Sequence, residues 1–262
     1  MTEKIELLNE IKTKLKNIKV YQNIEFPDFS LKAKKQRINP GFRLQLFDTF
    51  DVKGKTIYDL GCSNGYYCFE LAKRGARVIG VDKNKETIKI NRLISEYYDL
   101  EIEFIEDDLL DETFYTDRME ESDIVIFLSV IHHIYKKTQK SPSLFCNKIL
   151  QIISEKTETM FFETGQSGEP FHWSIKLGEM GLDPKSWILD NWLHETNFKN
   201  KKVLKSFLFN GKRGRKKEFI CDIYRKSIFQ PQHPFRNYFI YLLYRLFISD
   251  PRETRFIFIC SK

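Results

Sequence analysis

From residue 55 onward, short apolar runs alternate with amphipathic stretches of helical spacing, and this rhythm constrains the fold more than any other feature. "KTIYDLG" (55–61) reads as a buried strand and "YYCFELAKRG" (66–75) as a helix closed by Gly75. "ARVIGVD" (76–82) is the next strand and "KETIKINRLISEYY" (85–98) the next helix. "IEFIEDD" (102–108) and "SDIVIFLSVIHHI" (122–134) are further strands with their exits; "PSLFCNKILQIIS" (142–154) is helical and "TMFFETG" (159–165) a fifth strand. Such alternation predicts an α/β fold, a mostly parallel seven-stranded sheet covered by helices on both faces. After residue 165 the rhythm changes. "KVLKSFLF" (202–209) and "KEFICDIYR" (217–225), joined by the basic "NGKRGRK", predict an antiparallel hairpin at the sheet edge.

The ends differ in character. Ile5, Leu8, Ile11, Leu15 and Ile18 recur at helical spacing, so an amphipathic helix opens the chain, followed by a turn at Asn39-Pro40-Gly41. The expected organisation is an N-terminal helix and covering segment (1–50), a core (51–226) and an aromatic-rich extension (227–262). Within the extension, "HPFRNYFIYLLYRLFI" (233–248) suits either a packed terminal helix, which is preferred, or an interfacial helix touching a membrane. No run of about 18 apolar residues predicts a spanning helix, and the charged N-terminus has no signal-peptide pattern. The five cysteines form no CxxC pair or metal-ligand spacing, so no metal is expected, and a reduced cytoplasmic setting is.

Charge is unevenly spread. Residues 55–135 hold 9 Lys/Arg against 17 Asp/Glu, whereas residues 199–226 hold 11 against 2. Residues 32–43 add five basic residues and no acidic one. An acidic core between basic segments points to an anionic partner met at the edges, and Arg213 and Arg215 are candidates for that contact.

In an open parallel sheet, ligands gather outside the C-terminal strand ends. Gly61, Cys62, Ser63, Asn64 and Gly65 form a strand-to-helix turn at such an end, where glycine lets the backbone bend sharply and approach a ligand. The turn lacks the GxGxxG of dinucleotide enzymes and the GK[ST] of a P-loop. "DLGCSNG" resembles the first motif of class I S-adenosylmethionine-dependent methyltransferases, which implies a Rossmann-like methyltransferase fold. Asp82 and Lys83 then stand where that family meets the ribose, Asp107 or Asp108 where it meets the adenine edge, and Asp59 where the amino group is served through water. Ser129, at the exit of the fourth strand, joins this cofactor-binding set.

A narrower resemblance covers roughly residues 15–226. "VYQNIEF" (20–26), "NPGFR" (39–43), "RGARVIGVD", "LSVIHHI" and above all "ETGQSGEPFHW" (163–173) are similar to the methyltransferase half of bacterial O-antigen chain-terminating kinase/methyltransferases. That resemblance implies methyl transfer to a terminal sugar of a surface polysaccharide or to its phosphate. It also implies that Tyr21, Gln22 and Arg43 line the cofactor pocket, Arg43 pairing with the cofactor carboxylate. The kinase motifs are missing, so a separate kinase or glycosyltransferase is the implied partner.

A hydroxyl acceptor requires a base, for which His132, His133 and Glu163 are candidates, whereas a phosphate arrives ionised. Glu169, His172 and Trp173, beside Phe171, are candidates for a sugar-binding wall. Two other functions fit the same residues. One is a tRNA methyltransferase tracking phosphates with its basic edge, although no RNA-binding motif is present. The other is a non-catalytic binding protein built on the cofactor fold.

Overall fold

The computed structural model describes residues 2–16, 18, 20, 22–32, 43–165, 184–208 and 254–262. Helix α1 (Thr2–Leu15) is followed by a small antiparallel pair, β1 (Ile24–Glu25) and β2 (Ser30–Leu31), and a 3-10 turn at Gln45–Thr49. The central alternation then runs β3 (Thr56–Leu60), α2 (Tyr66–Ala72), β4 (Arg77–Asp82), α3 (Lys85–Tyr97) and β5 (Ile102–Glu106). It continues through a π-helical turn (Phe114–Arg118), β6 (Ser122–Leu128), α4 (Ile131–Lys137), α5 (Pro142–Lys156) and β7 (Thr157–Glu163). Helix α6 (Pro184–Asn191) and strands β8 (Asn200–Leu208) and β9 (Thr254–Ser261) complete the described chain.

One sheet orders the strands β5-β4-β3-β6-β7-β9-β8. The first five are parallel, and β9 runs antiparallel between β7 and β8. Period-two alternation divides the core into two layers, as a sheet covered on both faces requires. Along β6, Val125 and Phe127 pack with the Met160, Trp192 and Phe258 layer, while Ile124 and Ile126 pack with Ile57, Phe69 and Phe161. Strand order reverses between β3 and β6, because the chain leaves β3 towards β4 on one side and reaches β6 on the other. The crevice beyond that point is where such sheets receive ligands.

The sheet's closing strand lies where the sequence did not place it. Residues 200–208 do form a strand with an antiparallel partner, but that partner is 254–261. Residues 217–225, expected in that place, lie outside the described residues, as does the loop bearing Arg213 and Arg215. An inner strand of the sheet thus comes from the segment read as an extension, and the expected boundary at 226 does not separate core from appendage. The aromatic segment 233–248 also lies outside the described residues. Among the described residues no helix is long and apolar enough to cross a membrane.

Candidate active site

A cavity of about 1060 Å³ opens at the C-terminal ends of β3, β4, β5 and β6. The turn after β3 is held from behind. Gly61 N and Cys62 N both donate to Val81 O, at 2.8 and 3.0 Å, tying the turn to the neighbouring strand. Gly61 has φ +82°, and a Cβ there would lie 2.6 Å from Val130 Cγ2, so only glycine lets the turn pass under the β6 exit. Asn91 Nδ2 donates to Ser63 O at 2.8 Å, and Ser63 N donates to Asp82 Oδ2 at 3.0 Å. Gly61, Cys62, Ser63 and Asn64 line the cavity. Gly65 is not among the lining residues; it caps α2 at φ +73°, where a Cβ would meet Phe69 at 2.8 Å.

Most of the charged residues lining the cavity are acidic. Asp59, Asp82, Asp107 and Asp108 all line it, with Gln22 from the N-terminal segment. Asp82 already accepts from Ser63 N and from Asn84 N (2.9 Å), so it braces two turns while facing the cavity. Arg118 bridges Asp107 and Asp111, and Lys83 Nζ lies 3.2 Å from Asp108 Oδ2. Lys137, which no sequence signal singled out, lines the same wall as Lys83.

Asp59 is the unusual member. It is buried in the middle of the sheet register, paired with Gly80 and Ile126, and its one donor among the described residues is the Cys68 thiol at 3.3 Å. Burial pushes its carboxyl up to about 7, against the Cys68 hydrogen bond and with the nearby Asp82 charge adding to the rise. A buried carboxylate with so weak a partner is an acceptor waiting for a cation.

Three expectations are corrected by the geometry. Arg43 lies at the far side of the wall and is buried; its Nε and Nη2 form a fork on Glu163 Oε2 and Oε1 at 2.8 and 2.6 Å. It therefore grips a protein carboxylate where the resemblance implied a cofactor carboxylate. Glu163, expected as a catalytic group, is fully buried and also receives Arg255 Nη1 (2.8 Å) and Ser129 Oγ (2.6 Å). Burial opposes its charge, but the Arg43 and Arg255 charges outweigh burial and hold the carboxyl below its ordinary value. So clamped, and outside the cavity lining, it is not placed to take a proton from an acceptor. His132, the third case, is buried and its Nδ1 accepts from Gly165 N at 3.1 Å. Burial, then the charges of His133 and Arg255, hold its imidazole well below 6.5, so it is a neutral packing element.

His133 remains at the cavity wall, exposed, its ring 4.2 Å from that of His132. Burial and the Lys137, Arg255 and Lys136 charges lower its pKa. Helix α4 separates the two histidines by about 100°, so one faces inward and its neighbour outward. Ser129 lines the cavity with φ +61°, a left-handed conformation rare for serine. Tyr21, Glu169, His172, Trp173, Arg213 and Arg215 lie outside the described residues. Among the described residues no cluster of ligands suited to a metal ion occurs.

Residues 51–160 match the family described as a methyltransferase domain. Residues 51–160 form a methyltransferase domain. S-adenosylmethionine is the cofactor of this methyltransferase, and the cavity fits it: a sulfonium and an ammonium suit the buried Asp59, and ribose hydroxyls can donate to the remaining lone pairs of Asp82. When bound, that group supplies an electrophilic methyl; the residues of this chain align the acceptor and exclude water.

Among curated relatives, the O-antigen chain terminator bifunctional methyltransferase/kinase WbdD of Escherichia coli is 29% identical over 133 residues, half of this chain and 18% of its own length. The tRNA U34 carboxymethyltransferase of a Sulfurovum strain is 26% identical over 206 residues, covering 71% of this chain and 61% of its own. A solved structure of WbdD superposes with a TM-score of 0.65 at 20% identity, over 96% of this chain and 46% of that one. The N-terminal domain of EvdMO1, solved in the presence of SAH and D-fucose, gives 0.58 at 13% identity, over 97% and 96%. The methyltransferase thus matches less than a fifth of the chain terminator's full sequence.

Proposed function

We propose that this methyltransferase acts at the end of a surface polysaccharide, on a phosphate carried by the terminal sugar, with a separate kinase supplying that phosphate. The observation that carries the proposal is the commitment of two of the three would-be bases. Glu163 is clamped by two guanidiniums and His132 is buried as an acceptor, while Lys83 and Lys137 stand at the cavity wall. An acceptor that arrives already ionised needs no base and is drawn to ammonium groups. The WbdD relatives and the sugar present with EvdMO1 support a glycan acceptor.

The test is transfer by wild type, His132→Ala and His133→Ala to phosphorylated and unphosphorylated oligosaccharide ends. The expected result is transfer to the phosphorylated end, with a rate rising near pH ~6, the second pKa of a phosphate monoester, in all three proteins. Transfer confined to the unphosphorylated end, and lowered about 10²–10⁴-fold in the His133 variant, refutes the proposal in favour of base-assisted hydroxyl methylation.

A second reading is favoured by one observation: the tRNA U34 relative aligns over a larger share of both chains than WbdD does. Together with the basic segments at 32–43 and 199–226, it supports an RNA acceptor. That reading predicts tRNA binding whose affinity falls steeply with salt.

A further inference from the structure

The Glu163 cluster joins four distant parts of the chain at one buried point. Arg43 comes from the segment before the 3-10 turn, Ser129 from the exit of β6, Glu163 from the end of β7 and Arg255 from β9. Arg43 and Arg255 both reach Oε1 of Glu163, at 2.6 and 2.8 Å, and Ser129 Oγ reaches the same oxygen at 2.6 Å. Arg255 Nη1 also donates to Ser129 Oγ at 2.7 Å, so the serine hydroxyl donates to the acid and accepts from the base. Ser129 N donates to the Glu163 backbone carbonyl at 2.8 Å. Both polar groups of that serine other than its own carbonyl are therefore fixed by this cluster.

Of these four residues, Ser129 alone lines the cofactor cavity, and it does so at φ +61°. A serine stays in that sparsely populated region only when its surroundings over-determine it. The neighbouring Val130 lies against Gly61, so the conformation chosen at 129 sets the spacing between the β6 exit and the cofactor turn.

We propose that Glu163, locked by Arg43 and Arg255, is a positioning residue that holds Ser129 in its left-handed conformation and so shapes the wall of the cofactor cavity. The carboxylate acts at one remove: it carries no proton in the reaction and lies outside the cavity lining. The cluster makes cofactor affinity depend on β9, a strand that contributes no residue to that lining.

A double-mutant cycle read by calorimetric titration with S-adenosylhomocysteine tests this without recourse to activity. Glu163→Gln keeps the shape and removes the charge that anchors both guanidiniums. It is expected to weaken binding about tenfold or more, as the strained serine relaxes. Glycine adopts positive φ freely, so in a Ser129→Gly background the same change is expected to weaken binding less than about twofold. Equal factors in the two backgrounds overturn the proposal and leave Glu163 as a prop for the fold. Thermal melts report whether Glu163→Gln folds. Arg255→Lys, which leaves the Arg43–Glu163 fork in place, provides the same cycle if it does not. Equal effects of Arg255→Lys with and without Ser129→Gly count equally against it.

Discussion

Asp59 makes cofactor binding a proton-coupled event whose size follows from its burial. Burial holds this carboxyl at about 7, and a cation placed beside it draws the pKa back down. At pH 6 a group of that pKa is about 90% protonated, so binding of S-adenosylmethionine must expel nearly one proton; at pH 8 it expels about a tenth of one. Affinity is therefore expected to rise about tenfold between pH 6 and pH 8 and to level off above. Calorimetry in buffers of different ionisation enthalpy counts the protons directly. Asp59→Asn should bind more weakly and lose the pH dependence, and the comparison cancels any titration of the ligand itself. In the unliganded protein the same carboxyl acts with the opposite slope: the folded state retains a proton that the unfolded chain releases, so its own contribution to stability is fully present below pH ~4 and is lost as pH rises through ~7. Proton release that is the same at pH 6 and pH 8, or that survives in Asp59→Asn, refutes the reasoning and removes this carboxylate from the cation's neighbourhood.

Gly61→Ala places a methyl 2.6 Å from Val130 Cγ2 at φ +82°, and should lower both melting temperature and cofactor affinity; the backbone term alone costs about 1–2 kcal/mol. Gly54→Ala, at φ +72° with nothing within 4 Å, should cost stability alone, and titration of both variants separates the two effects. Asp82→Ala should weaken S-adenosylmethionine binding by about 1–3 kcal/mol, since it removes a charge-assisted acceptor. Unchanged affinity in that variant would take Asp82 out of the pocket.

The parallel half of the fold was readable because its signals are local. Apolar runs such as "KTIY" and "VIGV" are bounded by glycines and acids, and β3, β4 and β5 appear within a residue or two of their expected places. Strand β9 was not readable. A second strand-like run, 217–225, lies nearer to β8 and is separated from it by a turn-rich basic loop, and local pattern cannot rank it against a partner beginning at residue 254. The site shows the same division. Asp59, Gly61, Ser63 and Asp82 reach the cavity because strand ends dictate it. The fate of Glu163 depended on guanidiniums 120 and 92 residues away, and that of Arg43 on the same contact. Arg255 had one faint signal: it is the sole charge in "RFIFIC", where an inner strand tolerates a buried cation only beside an acid. The histidines divided because a helix begins at Ile131, where an extended exit was expected.

The antiparallel insertion of β9 also has a consequence in time. Pairing Thr159 with Ser261 closes a loop of about a hundred residues, an entropically slow step compared with the βαβ contacts that precede it. As the chain emerges, strands β3 to β7 can assemble while the slot between β7 and β8 still waits for its occupant. Arg255 enters with that occupant, so Ser129 meets its second partner only at the final docking. Competence to bind the cofactor should therefore lag behind the gain of secondary structure in refolding. The youngest part of the sheet, and not the glycine turn at its oldest, governs when the protein becomes an enzyme.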